Sequence, residues 1–366
     1  MNFTAEKRQI IEALQNAAAV AERRNTIPIL ANMLIKTSKN IIEFTATDLE
    51  IQIKSSAEVT SVKQEGEITV SARKMSELCK SLPDEDAVNF YVELGKLSVR
   101  AKNFQADLST IAADNFPELE CMNELSRFEV PSAELKRILN KTQFSMGATD
   151  VRTYLNGSLL EIKEGTLSAI ATDGHRLAKS TTENLKTKES SSNIVPRRAV
   201  LELTKILQSA DDSVNLVLGS NFISIISSSF TFSSKLLEGE YPNYHKVFPK
   251  GEASSLLVDK KNLQEALNRA SILSNEKYRG VKFNLTQDLL KLTTNNPEQE
   301  IAEEDVKVKY EGKNLEIGFN IGYLEDVLNS METLEVELFF YGEDSSCLLK
   351  PAGEDSSLYV VMPMRL

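Results

Sequence analysis

The chain has 366 residues, 41% of them hydrophobic, and carries 42 Lys and Arg against 53 Asp and Glu, a formal net charge of −11. That length allows two or three domains with their own cores, and the acidity, taken as an average, speaks against nucleic acid as a partner. The charged opening Met-Asn-Phe-Thr-Ala-Glu-Lys-Arg, the want of any membrane-length apolar run and the scattered Cys79, Cys121 and Cys347 exclude a signal peptide, a membrane span, a disulfide framework and a zinc knuckle, so a reducing, cytoplasmic setting is expected.

Apolar spacing places helices at about residues 5–24, 72–82, 132–146, 196–209, 259–279 and 320–331. In the second, Met75, Leu78, Cys79 and Leu82 recur at i, i+3, i+4 and i+7 as a buried stripe, and Arg73 and Lys80 project from the opposite face. In the third, Leu135, Ile138, Leu139 and Thr142 form the stripe, which points Arg137 and Lys141 outward. In the fourth, Arg198 and Lys205 are again seven apart, away from Leu203 and Leu207. Segments between helices, such as Ile41-Ile42-Glu43-Phe44-Thr45-Ala46 and Leu216-Val217-Leu218, are short and bounded by Gly, Asn and Asp. That is the pattern of antiparallel strands, and the fold class is α+β.

These elements recur three times. Val70-Ser71-Ala72-Arg73-Lys74 returns 125 residues later as Val195-Pro196-Arg197-Arg198, and 124 residues beyond that, more weakly, as Phe319-Asn320-Ile321-Gly322-Tyr323. Ala46-Thr47-Asp48, Ala171-Thr172-Asp173 and Thr293-Thr294-Asn295 keep the same step. So do the helix openings Phe3-Thr4-Ala5-Glu6, Val130-Pro131-Ser132-Ala133-Glu134 and Val258-Asp259-Lys260-Lys261. The period is far longer than that of a solenoid or propeller repeat and matches a whole small domain. Three domains are expected, over residues 1–125, 126–253 and 254–366, each with a sheet on one side and two helices on the other.

Charge is segregated over this repeat. The six helical spans hold 18 basic and 11 acidic residues, whereas the remainder holds 24 basic and 42 acidic. A basic helical face is ordinarily a solvated one, but five basic helices in an acidic chain suit a polyanion held at one surface and repelled elsewhere.

Six further strings carry a family resemblance. They are Asp150-Val151-Arg152-Thr153-Tyr154-Leu155-Asn156-Gly157, Ala171-Thr172-Asp173-Gly174-His175-Arg176-Leu177-Ala178, Tyr241-Pro242-Asn243-Tyr244, Ile272-Leu273-Ser274-Asn275-Glu276-Lys277, Asn295-Asn296-Pro297-Glu298-Gln299-Glu300 and the terminal Tyr359-Val360-Val361-Met362-Pro363-Met364-Arg365-Leu366. From first helix to last residue the chain resembles the bacterial DNA polymerase III beta subunit, the replicative sliding clamp. The resemblance implies a head-to-tail homodimer, a ring of six similar domains with sheets outside and helices inside, encircling duplex DNA. It implies a processivity factor that tethers the polymerase III catalytic subunit, the clamp loader, and other polymerases and repair proteins. It implies no catalysis, cofactor, metal or membrane.

Site roles follow from the same resemblance. DNA contact falls on Arg24, Arg73, Thr149, Thr153 and Tyr154, with smaller side chains than usual at Ala148, Thr149 and Thr153. A hydrophobic cleft for short partner peptides falls on Arg152, Tyr154, Leu155, Thr172, Gly174, His175, Arg176, Leu177, Pro242, Val247, Asn320, Tyr323, Ser346, Val360, Met362, Pro363 and Met364, with Lys246 where arginine is frequent. Leu, Val, Pro and Met there make an adaptable apolar trough, and Tyr, His and Arg supply a polar rim. The dimer interface falls on Lys74, Lys96 and Leu108 of the first domain and Ile272, Leu273, Glu298 and Glu300 of the third, with Ala106 where an aromatic is common.

Two rivals differ in kind. An enzyme would use His175 as base with Asp173 as its orienter, although phosphate-loop, nucleophile-elbow and dinucleotide motifs are missing. A scaffold that never closes into a ring would use the same cleft but leave the basic helices without a purpose.

Overall fold

The computed structural model describes residues 1–21, 27–84, 87–119, 123–187, 189–208 and 212–365. Its helices are α1 (Lys7–Val20), α2 (Ala72–Ser81), α3 (Ser132–Asn140), α4 (Arg197–Ile206), α5 (Lys260–Ser271) and α6 (Ile321–Ser330). Each begins directly after a strand, and several are started by the strand's last side chain. The Ser71 hydroxyl accepts from the Lys74 amide at 3.5 Å, Asp259 Oδ1 from the Asn262 amide at 2.8 Å, and Asn320 Oδ1 from the Tyr323 amide at 3.3 Å. Glu6 and Gln9 form a reciprocal capping box on α1. Each such cap contributes about 1 kcal/mol.

Helices α1, α3 and α5 are shorter than their apolar spacing predicts. Residues Asn2–Glu6 form a strand, so α1 starts late. After α3 the Thr142 hydroxyl donates back to the Ile138 carbonyl at 2.8 Å, and the chain passes into a 3-10 turn, Gln143–Ser145. Ser271 and Ser274 close α5 in the same manner, donating to the Asn268 and Ser271 carbonyls. Short hydroxyl side chains compete for helical carbonyls and end helices this way. One expectation is corrected as a result. Lys141 lies past the end of α3 and is 6% exposed, not outward. Arg137 is half-buried, bonded to Glu134, the Ser180 hydroxyl and the Thr181 carbonyl.

All strand pairings among the described residues are antiparallel, in sheets of thirteen, nine and four strands. The chain divides into two compact units, Met1–Ala133 with Leu201–Leu236, and Glu134–Val200 with Leu237–Leu366. The thirteen-stranded sheet lies in the first. Phe3 stacks on Phe90 there, with ring centroids 4.7 Å apart, α1 packs on α2, and Leu14, Met33 and Met75 are fully buried. In the second unit, α5 and α6 cover a core that includes Leu267, Phe283, Tyr310, Phe319 and Leu324.

The element order is the same three times: strand, helix, four or five strands, helix, three strands. Register refines the repeat. Met33 faces Val70 and Val281 faces Phe319, while Ile35 faces Phe44 and Phe283 faces Leu292. Counting three residues on, Asn295 is level with Thr47, so the third copy of the Ala-Thr-Asp landmark is displaced by one residue from its expected place. At two junctions one copy's sheet continues into the next. Ile51–Glu58 pairs with Phe230–Lys235, setting Ile53 opposite Phe232, and Arg176–Thr182 pairs with Ser357–Val361, setting Ala178 opposite Tyr359. The equivalent strands left over are Ile301–Lys307, which pairs only with Leu289–Asn295, and Phe104–Ile111, whose Phe104 to Ser109 pair only with Lys96–Ala101 among the described residues.

Cys79 and Cys347 are 1% and 0% exposed, and burial pushes the Cys79 thiol up to about 12 and the Cys347 thiol higher still. Cys121 lies outside the described residues. In the native protein neither Cys79 nor Cys347 should react with a maleimide within hours, whereas both should label at once in denaturant. Mass-spectrometric mapping of labelled peptides checks this, and native labelling at either site would contradict the packing.

Candidate functional site

A recess in the second unit is organised by a turn. Thr172 Oγ1 donates to the Arg176 carbonyl at 2.6 Å and accepts from the Gly174 amide at 3.1 Å. Asp173 Oδ1 accepts the His175 and Arg176 amides at 2.9 and 3.1 Å. Gly174 has φ +90°, and a Cβ there would come 3.0 Å from an Arg152 guanidinium nitrogen. Glycine suits this left-handed position, which the equivalent Leu49 adopts at φ +78°, and leaves room for the arginine lying over it. Asp150 holds that arginine through the Arg152 amide at 2.8 Å, Nε at 3.0 Å and Nη2 at 2.9 Å. These bonds take the Asp150 carboxyl down to about 2. Asn156 locks the loop by bonding the Asp150 amide and carbonyl.

The floor of the recess is apolar. Leu177 faces Val360 across a strand pair, and both are fully buried with Leu159, Ile170, Ile194 and Tyr244. Tyr154, Leu237, Val247, Phe248 and Leu348 pack against that cluster. Leu155 is buried, and its carbonyl accepts the Gly147 amide at 2.8 Å. The C-terminal segment forms a wall. The Met362 amide donates to the His175 carbonyl and the Met364 amide to the Gly318 carbonyl, each at 2.9 Å, which leaves Met362, Pro363 and Met364 half-buried. A hollow of about 410 Å³ continues past Val247 and Ser346, bordered by Lys246 and Lys250. Pro242 lies on the rim of a second hollow of about 340 Å³, where the Tyr244 hydroxyl donates to Glu161 at 2.7 Å. Burial and that carboxylate push the Tyr244 hydroxyl well above its usual range.

All seventeen expected cleft positions fall in this unit. Asn320 caps α6, and Tyr323, one turn in, stacks on His175 with ring centroids 6.1 Å apart. The recess is not arranged for catalysis. Asp173 commits one oxygen to backbone amides and the other to Arg176 Nε at 3.0 Å, so His175 has no carboxylate orienter in its neighbour. Three residues that shape the site are not among the expected site positions: Asp150, Phe144 and Asp326. The i, i+3 spacing of Tyr323 and Asp326 on α6 is the one signal that could have pointed to the last.

The expected DNA positions are divided. Arg24 lies outside the described residues. Arg73 belongs to the first unit, exposed at the start of α2, 3.5 Å from Glu77, beside a depression of about 810 Å³ bordered by Gln15, Ser76 and Lys80. Thr149, Thr153 and Tyr154 belong to the second, the threonines exposed and the tyrosine half-buried. Each of α1 to α5 carries more basic than acidic residues, and α6 carries only acidic ones. Of the expected dimer positions, Lys74, Lys96, Glu298 and Glu300 are exposed, and Leu108 and Leu273 half-buried. Ile272 is 77% exposed at the end of α5, which excludes a place in the core for it.

Three copies of one α+β domain, joined edge to edge, define a clamp-domain scaffold. Residues 1–120, 129–243 and 245–365 match the N-terminal, central and C-terminal domains of the DNA polymerase III beta subunit. The chain is 43% identical to the beta sliding clamp of Pseudomonas aeruginosa and 39% identical to that of Escherichia coli K12, over the full length of each. A P. aeruginosa sliding clamp solved with griselimycin superposes with a TM-score of 0.97 at 43% identity over all of both chains. A Caulobacter crescentus clamp, solved with polyethylene glycol in its putative beta-motif tethering region, gives 0.94 at 32% identity, covering all of this chain and 99% of that one. The chain belongs to the DNA polymerase III beta subunit family, the beta sliding clamps.

Proposed function

We propose that two copies of this chain close head to tail into a six-domain ring around duplex DNA in the cytoplasm. Through the cleft the ring tethers the polymerase III catalytic subunit, the clamp loader, and other polymerases and repair proteins that carry a short apolar peptide. The two unmatched strand edges carry this reading. Three copies provide three strands of each junction type, and two pairs form within the chain. Applying the register of those pairs to the third sets Ala106 opposite Ala302 of a second copy, Gln105 opposite Glu303 and Phe104 opposite Glu304. It also brings Glu300 level with Leu108, beside Lys96. Lys74 and Lys96 on one edge complement Glu298 and Glu300 on the other, and a head-to-tail contact that closes needs such unlike faces.

The domains 1–125, 126–253 and 254–366 then present α1 to α5 to the DNA, with Arg24, Arg73, Thr149, Thr153 and Tyr154 nearest the phosphates. Contacts of that kind hold any sequence and weaken steeply with salt, as sliding requires.

Ala106→Cys combined with Ala302→Cys tests the ring. Directly opposed residues in an antiparallel pair lie about 4.5–5.5 Å apart at Cα, within disulfide reach. On mild oxidation the double variant should run as a covalent dimer with no higher ladder, and either single variant should stay monomeric in denaturing gels. Assembled on a nicked circle and then oxidised, it should resist salt that strips direct binding and be lost on linearisation. A polymer ladder, or loss from the intact circle at low salt, would overturn the ring.

A further inference from the structure

The guanidinium of Arg176 is engaged at all three of its nitrogens. Nε donates to Asp173 at 3.0 Å, one terminal nitrogen to Asp326 at 2.5 Å and the other to the Phe144 carbonyl at 2.8 Å. Its faces are covered by the rings of Phe144 and Tyr323, with centroids at 5.3 and 4.7 Å. The stack extends through Phe144 to Tyr359 at 6.0 Å and through Tyr323 to His175 at 6.1 Å. The Arg176 side chain is only 11% exposed.

Asp173 sits in the same turn as Arg176 and cannot tie that turn to anything else. Asp326 is on α6, 150 residues away in sequence. We propose that Asp326 is a positioning residue of the peptide cleft. It holds Arg176 between Phe144 and Tyr323 as a fixed wall, so Arg176 does not serve as a receptor for a peptide's negative charge. This rests on the cleft being the peptide site. It implies that the cleft takes neutral and acidic peptides alike at this wall, and that anion recognition falls to the rim, where Arg152 lies.

The test uses the full chain and two labelled ten-residue peptides with a central Leu-Phe pair, one flanked by Glu and one by Gln. Asp326→Asn should weaken both peptides equally, by about tenfold, as expected when a charged hydrogen bond that orders a binding wall is lost. Asp326→Glu should recover most of that loss. Arg176→Gln should cost both peptides about the same, and the double variant little more than either single one, because the two residues act as a unit. Dimerisation and melting temperature should stay close to the parent's, which separates positioning from unfolding. Tighter binding of the Glu-flanked peptide by Asp326→Asn, or loss confined to that peptide in Arg176→Gln, would make Arg176 a receptor and overturn the proposal. Deletion of Met362–Leu366 is the control. If that protein binds both peptides normally, the cleft assignment itself fails; if it binds neither while Asp326→Asn binds like the parent, only the role of Asp326 fails.

Discussion

Deleting Met362–Leu366 should leave a dimer that no longer holds its partner peptides. Affinity of about micromolar for a Leu-Phe peptide, near −8 kcal/mol, should fall at least 100-fold, a loss of roughly 2.7 kcal/mol. The deletion removes the half-buried Met362, Pro363 and Met364, and with them the amides bonded to the His175 and Gly318 carbonyls. The strand that ends at Val361, including the fully buried Val360 on the cleft floor, is left in place. An apolar peptide then meets an open trough and buries much less surface, at roughly 25 cal/mol per Å² lost. Fluorescence anisotropy measures the affinity and light scattering the dimer. Undiminished peptide binding would place the docking site elsewhere.

Replacing Ile272 and Leu273 together by Ala should convert the protein to monomers at sub-micromolar concentration. Ile272 is 77% exposed in the single chain, and the half-buried Leu273 lies next to it. In a two-membered head-to-tail ring each chain contributes the pair to one of the two seams, so a substitution carried by both chains weakens both seams. At about 1.5 kcal/mol per buried side chain, two residues at two seams amount to roughly 6 kcal/mol, or more than 10⁴-fold in the dimer constant. Sedimentation across a dilution series checks this. A double variant that stays dimeric at those concentrations would move the seam away from α5. In the proposed seam the small Ala106–Ala302 pair would leave more of the apolar contact to these two residues than an aromatic at position 106.

The sequence disclosed most where local rules act alone. Helices α2 and α6 begin and end within a residue of their expected spans, because a polar strand end, Ser71 or Asn320, starts each and the buried face runs its full length, whereas α4 stops at Ile206, three residues short. The overrun of α3 and α5 came from hydroxyls bonding carbonyls, which an apolar count does not register. Lys141 was misplaced for that reason. The third landmark was read one residue early because Thr294 resembles Thr47 in type, whereas strand register aligns Asn295 with it. The cleft positions could be named only through resemblance to the family, since they come from segments far apart in the chain. Asp326 and the Phe144 carbonyl reach Arg176 across 150 and 32 residues, a closeness no local periodicity encodes.

The turn beneath the cleft is built twice. In the first unit Thr47 Oγ1 donates to the Ile51 carbonyl, Leu49 donates to Thr47, Asp48 accepts the Glu50 and Ile51 amides, and the Lys235 amide meets the Glu50 carbonyl. These are the bonds of Thr172, Asp173, Gly174, His175, Arg176 and Met362 with other side chains mounted on them: Leu49, Glu50, Ile51 and Lys235. Threonine, aspartate and main chain supply every bond, so the remaining positions of the turn can mutate without unfolding it. Selection can retune the partners of such a protein almost independently of its stability, and tandem duplication leaves a spare, already folded template on which a new specificity could arise.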